Sequence, residues 1–284
     1  MSRSATLVRT RPADDQVLRT TRWVAAGIIP FLVAGFVILY VFPGRSGQLF
    51  AWPVAPTMTA MLLGSAYAGG VWFFASVLRS STWHTVAAGF PAVVVFAALL
   101  GAATFVHWDR FMHSHVAFWV WTVLYVVAPF LVAGVWFVNR RMRSSPALDE
   151  PRLGRWTRWV FVLAGVVTVS LGGVLLLVPG LVSYVWPWAL TSLTGRVVGA
   201  VLCLGVAALV VVPDNRCSAV IRMLEVAIVM ALFVAVAVLR ARNEIVWTRP
   251  LAWVMLASLA VIVVGGGALL IDLRSRLRRA DDRR

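Results

Sequence analysis

The chain has 284 residues, 61% hydrophobic and 13% charged, where a soluble domain sits nearer roughly half and a quarter. That balance leaves too little polar surface for water and excludes an ordinary soluble globular protein. A formal charge of +15, carried by 26 arginines and no lysine, excludes lysine Schiff-base or lysine-nucleophile chemistry. Beside long apolar runs it reads as the loop bias that orients a membrane protein, not as a nucleic-acid footprint.

Residues 1–21 are polar and Arg-rich, and the apolar run that follows lacks a small-residue cleavage site, so no removable signal peptide is expected. A bilayer core of about 30 Å takes about 20 apolar helical residues. Runs of that kind fall at 23–42, 58–78, 85–106, 116–138, 160–178, 197–212, 219–239 and 251–271, predicting eight transmembrane helices. The sixth is the shortest and reads as weakly tilted or partly re-entrant. With this count, Arg45, Arg110, Arg196, Arg240, Arg242 and Arg249 face one side. All other arginines face the side of both termini, which predicts a multi-pass plasma-membrane protein with cytoplasmic ends.

The stretch VFPGRSGQLFAWPVAPTMTA at 41–60 is echoed by LVPGLVSYVWPWALTSLTGR at 177–196. At an offset of 136, Arg22-Trp23-Val24 meets Arg158-Trp159-Val160, Pro43-Gly44 meets Pro179-Gly180, Trp52 meets Trp188 and Gly69 meets Gly205. Later the offset is 134: Trp119-Val120 meets Trp253-Val254, and Arg140 meets Arg274. The expected fold is therefore all-α and polytopic, two parallel four-helix repeats at 22–139 and 158–273. A cytoplasmic linker at 140–157 and an Arg-rich tail at 274–284 complete it. Pro-Gly ends spans one and five, and Trp52 and Trp188 are expected as interfacial anchors. Small residues in span two (Gly64, Ser65, Ala68, Gly69) predict close helix packing.

The halves differ in ways that point to function. Pro30, Pro91 and Pro129 lie inside spans of the first half, opposite Val166, Ala227 and Val263. Proline frees a carbonyl and bends a helix. The segment His107-Trp108-Asp109-Arg110-Phe111-Met112-His113-Ser114-His115 gathers three imidazoles and a carboxylate. His107, Asp109, His113 and His115 are competent ligands for a divalent metal, though at no established zinc spacing. His107 and His115 are also a conceivable haem pair. Glu225 lies within span seven with Arg222 one turn before it, an ionisable pair of the kind that gates or couples ions. Cys203 and Cys217 read as packing residues.

Phosphate-loop, H-E-x-x-H and G-x-S-x-G motifs are absent, which disfavours an ATPase, a zincin or a serine hydrolase; the chain leans away from an enzyme without excluding one. Three functions stay open: a permease-like transporter with a path between the halves near Pro91, Pro129, His107, Asp109 and Glu225; a metal- or haem-binding membrane enzyme or redox protein using the His-Asp segment; and a non-catalytic scaffold or subunit of a membrane complex. Lipid is the expected partner, with a homo-oligomer or a membrane-complex partner also conceivable.

Overall fold

The computed structural model describes residues 15–141 and 150–282. The expected terminal tails and linker therefore lie partly outside the described residues. Among these, the chain is all-helical, with eight helices long and apolar enough to cross a membrane. They are α1 Arg19–Val41, α2 Thr57–Arg79, α3 His84–Val106, α4 Val116–Arg141, α5 Arg155–Leu177, α6 Ser192–Asp214, α7 Cys217–Arg240 and α8 Pro250–Ala280. In lipid only such helices satisfy every backbone group internally. Large apolar side chains such as Trp23, Phe130, Trp156, Leu177, Val264 and Ile271 stand mostly uncovered by protein. Lipid is the solvent that makes this stable. The chain is an integral membrane protein.

The sixth helix corrects an expectation: it has the full 23 residues rather than a short span. Hydropathy alone stops at Val197, but the helix begins five residues earlier. There Thr191 caps it, its hydroxyl accepting from Thr194 N–H while Thr191 N–H donates to the Thr194 hydroxyl.

Four helices, α2, α3, α6 and α7, make the centre; α1, α4, α5 and α8 lie outside them. The principal contacts are α1 on α2, α3 on α4, α5 on α6, α7 on α8, α2 on α7 and α3 on α6. Glycine on both sides permits the approach of α5 to α6. A Cβ on Gly172 of α5 would lie 2.7 Å from Gly199 O of α6, and one on Gly199 would lie 2.7 Å from Gly172 O. Here two backbones touch, and no side chain can move aside.

Hydrogen bonds recur at regular numbering offsets. Antiparallel bridges join Gln16 to Thr82 and Arg152 to Arg216. Trp83 N–H donates to Asp15 O, and Cys217 N–H to Pro151 O. On the other side, the turn Trp108–Arg110 and the turn Arg242–Glu244 carry the same bonds, each number raised by 134. Met112 N–H reaches Ala51 O as Val246 N–H reaches Pro187 O. Trp119 Nε1 donates to His113 O as Trp253 Nε1 donates to Trp247 O. Within α2 and α6 the matching offset is 135. A Cβ on Gly64 would meet Tyr40 and one on Gly70 Leu32, while Gly199 meets Leu176 and Gly205 meets Thr168. Gly205 thus matches Gly70 rather than Gly69. From α3 onward the recurring bonds are offset by 134, a shift that carries position 91 onto Glu225 where the expected offset of 136 carries it onto Ala227.

The face carrying Asp15, Ser80 and Arg216 is termed the terminal face, and the one carrying the loops 42–56 and 178–191 the distal face. Distal Trp52 and Trp188 are not lipid anchors: they are 2% and 1% exposed. Trp52 packs among Phe50, Phe111 and Trp121, at ring centroid distances of 4.8 to 5.0 Å. Trp188 stacks edge-on with Trp186 and donates from Nε1 to Thr59 Oγ1 of α2 at 2.9 Å. The loops fold inward as plugs because each ring's apolar area is better buried among aromatic neighbours than left at the headgroups. Trp52 Nε1 is buried without a partner. Trp188→Phe is therefore expected to lose about 1–2 kcal/mol more in detergent melting than Trp52→Phe, because only Trp188 surrenders a buried hydrogen bond.

Candidate functional site

Glu225 lies two turns into α7 from the terminal face and is 9% exposed. Arg222 Nη1 donates to its Oε2 at 2.6 Å, and Arg274 Nη2 of α8 donates to its Oε1 at 2.7 Å. Trp72 Nε1 of α2 approaches Oε2 at 3.4 Å. Arg222 Nη1 also reaches Ser76 Oγ of α2 at 3.2 Å, whereas Arg222 Nε is buried without a partner. The carboxylate thus draws donors from α2, α7 and α8. Charge placed at this depth is stable only when paired, and here both carboxylate oxygens are held by guanidinium. The Arg222 contact was legible as an i,i+3 pair. Arg274 and Trp72 were not, because their approach depends on how the helices dock.

Pro91 and Pro129 do not join this group. Pro91 falls in the first turn where α3 resumes after a break at Ala88, a place that tolerates a missing N–H. Pro129 sits inside the continuous helix Val116–Arg141.

A second ionic group ties the terminal face together. Asp15 accepts from His84 N–H at 3.0 Å, and its other oxygen meets His84 Nδ1. Glu150 accepts from Ser218 N–H at 2.8 Å, and its Oε2 lies 3.4 Å from His84 Nε2. His84 Nε2 is also 3.0 Å from Ser218 Oγ. Each carboxylate caps the start of a helix, α3 or α7, and His84 and Ser218 bridge the two. The partners of His84 are distant in the chain: Asp15 and Glu150 lie in the segments before α1 and α5, and Ser218 lies in α7.

Burial alone would raise the Glu150 carboxyl, but hydrogen bonds from His84 and Ser218 with the nearby imidazole pull it down to about 2. Asp15 is likewise held below its ordinary value: burial opposes this, and the contacts with His84 outweigh it. A carboxyl depressed in the folded state contributes stability above its unfolded pKa and loses it as pH falls toward the folded one. The melting temperature is therefore expected to fall as pH drops from about 4.5 toward 2, and to fall less in Glu150→Gln, which removes that titration.

On the distal face the three histidines take separate partners. His107 Nε2 is 2.7 Å from Arg196 Nη1 of α6. Burial and the Arg196 charge depress the His107 imidazole, so it stays neutral and accepts from the guanidinium. The His113 ring packs against Trp108 and Phe118. His115 passes its backbone N–H to Met112 O. Asp109 is exposed, 3.4 Å from Arg110 Nε. Among the described residues no three His, Cys, Asp or Glu side chains gather as they would to hold a metal ion.

One distal contact has no signal in the sequence beyond an acidic residue in an Arg-rich turn. Glu244 caps α2: its Oε1 accepts from Thr57 N–H at 3.1 Å and the Thr57 hydroxyl at 2.7 Å, and its Oε2 accepts from Met58 N–H at 2.8 Å. Comparison of the chain with protein-family models, with curated proteins and with solved structures finds no match.

Proposed function

We propose that this is a small permease-like protein of the plasma membrane, built from two parallel four-helix units with both termini cytoplasmic. The bonds that recur at offsets of 136 and 134, and the glycine contacts that recur at 135, support the two-unit reading. The arginine bias toward the terminal face supports the orientation. Solute passes along the seam where α2 meets α7 and α3 meets α6.

The observation that carries this reading is the Glu225 group. An intramembrane carboxylate is costly to keep and is retained where charge must be handled. It lies at the α2–α7 seam, and the matching position in the other unit holds Pro91, which has no charge. Two units of matching architecture thus differ where a gate would act. Breaking the contacts of Glu225 with Arg274 of α8 and Trp72 of α2 loosens both helices from α7, with the Arg222–Ser76 contact as the remaining tie to α2.

Reconstitution into liposomes tests this, with proton, chloride and inorganic phosphate movement followed in turn under an imposed membrane potential. Movement of any of the three above protein-free vesicles, changed severalfold by Glu225→Gln, supports transport. Wild-type vesicles no leakier than empty ones to all three would overturn it.

A further inference from the structure

The distal face contains two matching niches, each formed where the first turn of a central helix meets the turn from the opposite unit. At α2 the niche is filled by the chain's own carboxylate, Glu244, which takes the free N–H groups of Thr57 and Met58. The matching groups at α6 are the N–H of Ser192 and Leu193. Neither donates within the helix at that position, and among the described residues neither has an acceptor.

Two of the differences between the niches, at positions 110 and 196, make this one more positive, while Trp108 and Asp109 stand where the other turn has Arg242 and Asn243. Arg110 stands where the other turn has Glu244, His107 where it has Ala241, and Arg196 where α2 has Met61. Arg196 and His107 are in contact at 2.7 Å, and the charges of Arg196 and Arg110 both act on the His107 ring. Asp109 acts on the ring in the opposite sense and more strongly than Arg110; both side chains are exposed, so the positive charge fixed at this niche is that of Arg196. A further donor is idle on this side. Trp52 Nε1 is buried without a partner, in the same packed cluster as Leu193 and Val197 of α6, whereas its match Trp188 donates to Thr59. One niche thus holds a carboxylate; the other keeps the donors and lacks the acceptor.

We propose that the α6 niche binds an oxyanion, a phosphate or a carboxylate, held by Arg196, Arg110 and the N–H groups of Ser192 and Leu193. The bound anion does at α6 what Glu244 does at α2: it satisfies the first-turn donors and opposes the positive end of the helix. His107, neutral and fixed against Arg196, orients that guanidinium toward the anion. The proposal is independent of transport, since a structural anion would bind equally well.

The test uses purified full-length protein in neutral detergent. Melting is followed against inorganic phosphate and acetate, for wild type, Arg196→Met and Arg110→Glu. Wild type is expected to gain stability saturably with phosphate. Arg196→Met, which installs the residue of the other niche, should weaken the response about tenfold or more, the ordinary loss for a charge-assisted hydrogen bond. Arg110→Glu should abolish the response and melt no lower than wild type, because it supplies an internal carboxylate. A parallel titration with phosphatidylglycerol micelles separates the sources: a response to soluble phosphate marks a free anion, and one to the lipid alone marks a headgroup. No response to any of these in wild type, or an equal response in all three proteins, overturns the proposal. Elution of each variant as a monodisperse species guards against misfolding.

Discussion

Glu225→Leu is expected to lower stability by about 3 kcal/mol, the order found when one member of a buried ion pair is removed. The loss comes mainly through Arg222. That guanidinium is mostly covered, already lacks a partner at Nε, and without Glu225 would keep only Ser76. Arg274 is half exposed and can turn to solvent or to lipid phosphate, so its contribution is smaller. Two further variants separate charge from volume. Glu225→Gln keeps the shape and one acceptor, and should fall between wild type and Leu. Glu225→Leu combined with Arg222→Leu should recover more than half of the loss, because no buried charge then lacks its partner. Detergent melting of the four proteins measures this. A double variant no better than Glu225→Leu alone would show that Arg222 is not the group left stranded.

The second large effect is steric. Gly172→Ala is expected to cost about 2–3 kcal/mol, because its Cβ would press on Gly199 O and only separation of α5 from α6 can relieve it. Gly199→Ala should cost as much, and the double variant less than the sum, since one separation serves both. Two controls make the argument specific. A Cβ on Gly69 would meet the side chain of Met230, which is flexible, so Gly69→Ala should cost under about 1 kcal/mol. A Cβ on Gly173 meets nothing within 4 Å, so Gly173→Ala should be neutral or stabilising by up to about 1 kcal/mol. Equal losses at Gly172 and Gly173 would mean that helix contact is not the cause.

These two cases also mark how far the amino-acid order could be read. The eight spans are legible because a helix in lipid must be apolar along its length, and that is a local property. Gly172 and Gly173 are adjacent and chemically identical, yet only a Cβ on Gly172 would meet α6, a distinction that no local property of the sequence carries. The start of α6 is not legible from hydropathy because Ser192 to Arg196 is largely polar yet helical, held by the Thr191–Thr194 cap. The place of Trp52 and Trp188 beside the membrane suggests anchors, but both are buried. Their burial follows from partners on distant segments, Trp121 and Thr59.

The charged groups divide in the same manner. Arg222 with Glu225 is a one-turn contact and could be read directly. Arg274, the Asp15–His84–Glu150 clasp and the Glu244 cap join segments far apart in the chain, so no spacing announces them. The His107–His115 segment looked like a ligand set because its imidazoles are close in sequence. The turn at Trp108–Arg110 sends them to different partners: Arg196 for one and an aromatic cluster for another. Proximity along a chain is weak evidence for proximity in a site.

The most direct measurement of the whole account is side-specific labelling of single cysteines in a Cys203→Ala, Cys217→Ala background. Cysteines at Arg45, Arg110, Arg196 and Arg242 should react in intact cells with a membrane-impermeant maleimide. Those at Arg79, Arg152 and Arg276 should react only after the membrane is opened. Reaction of positions 45 and 196 from opposite sides would contradict the parallel arrangement and with it the two matching niches.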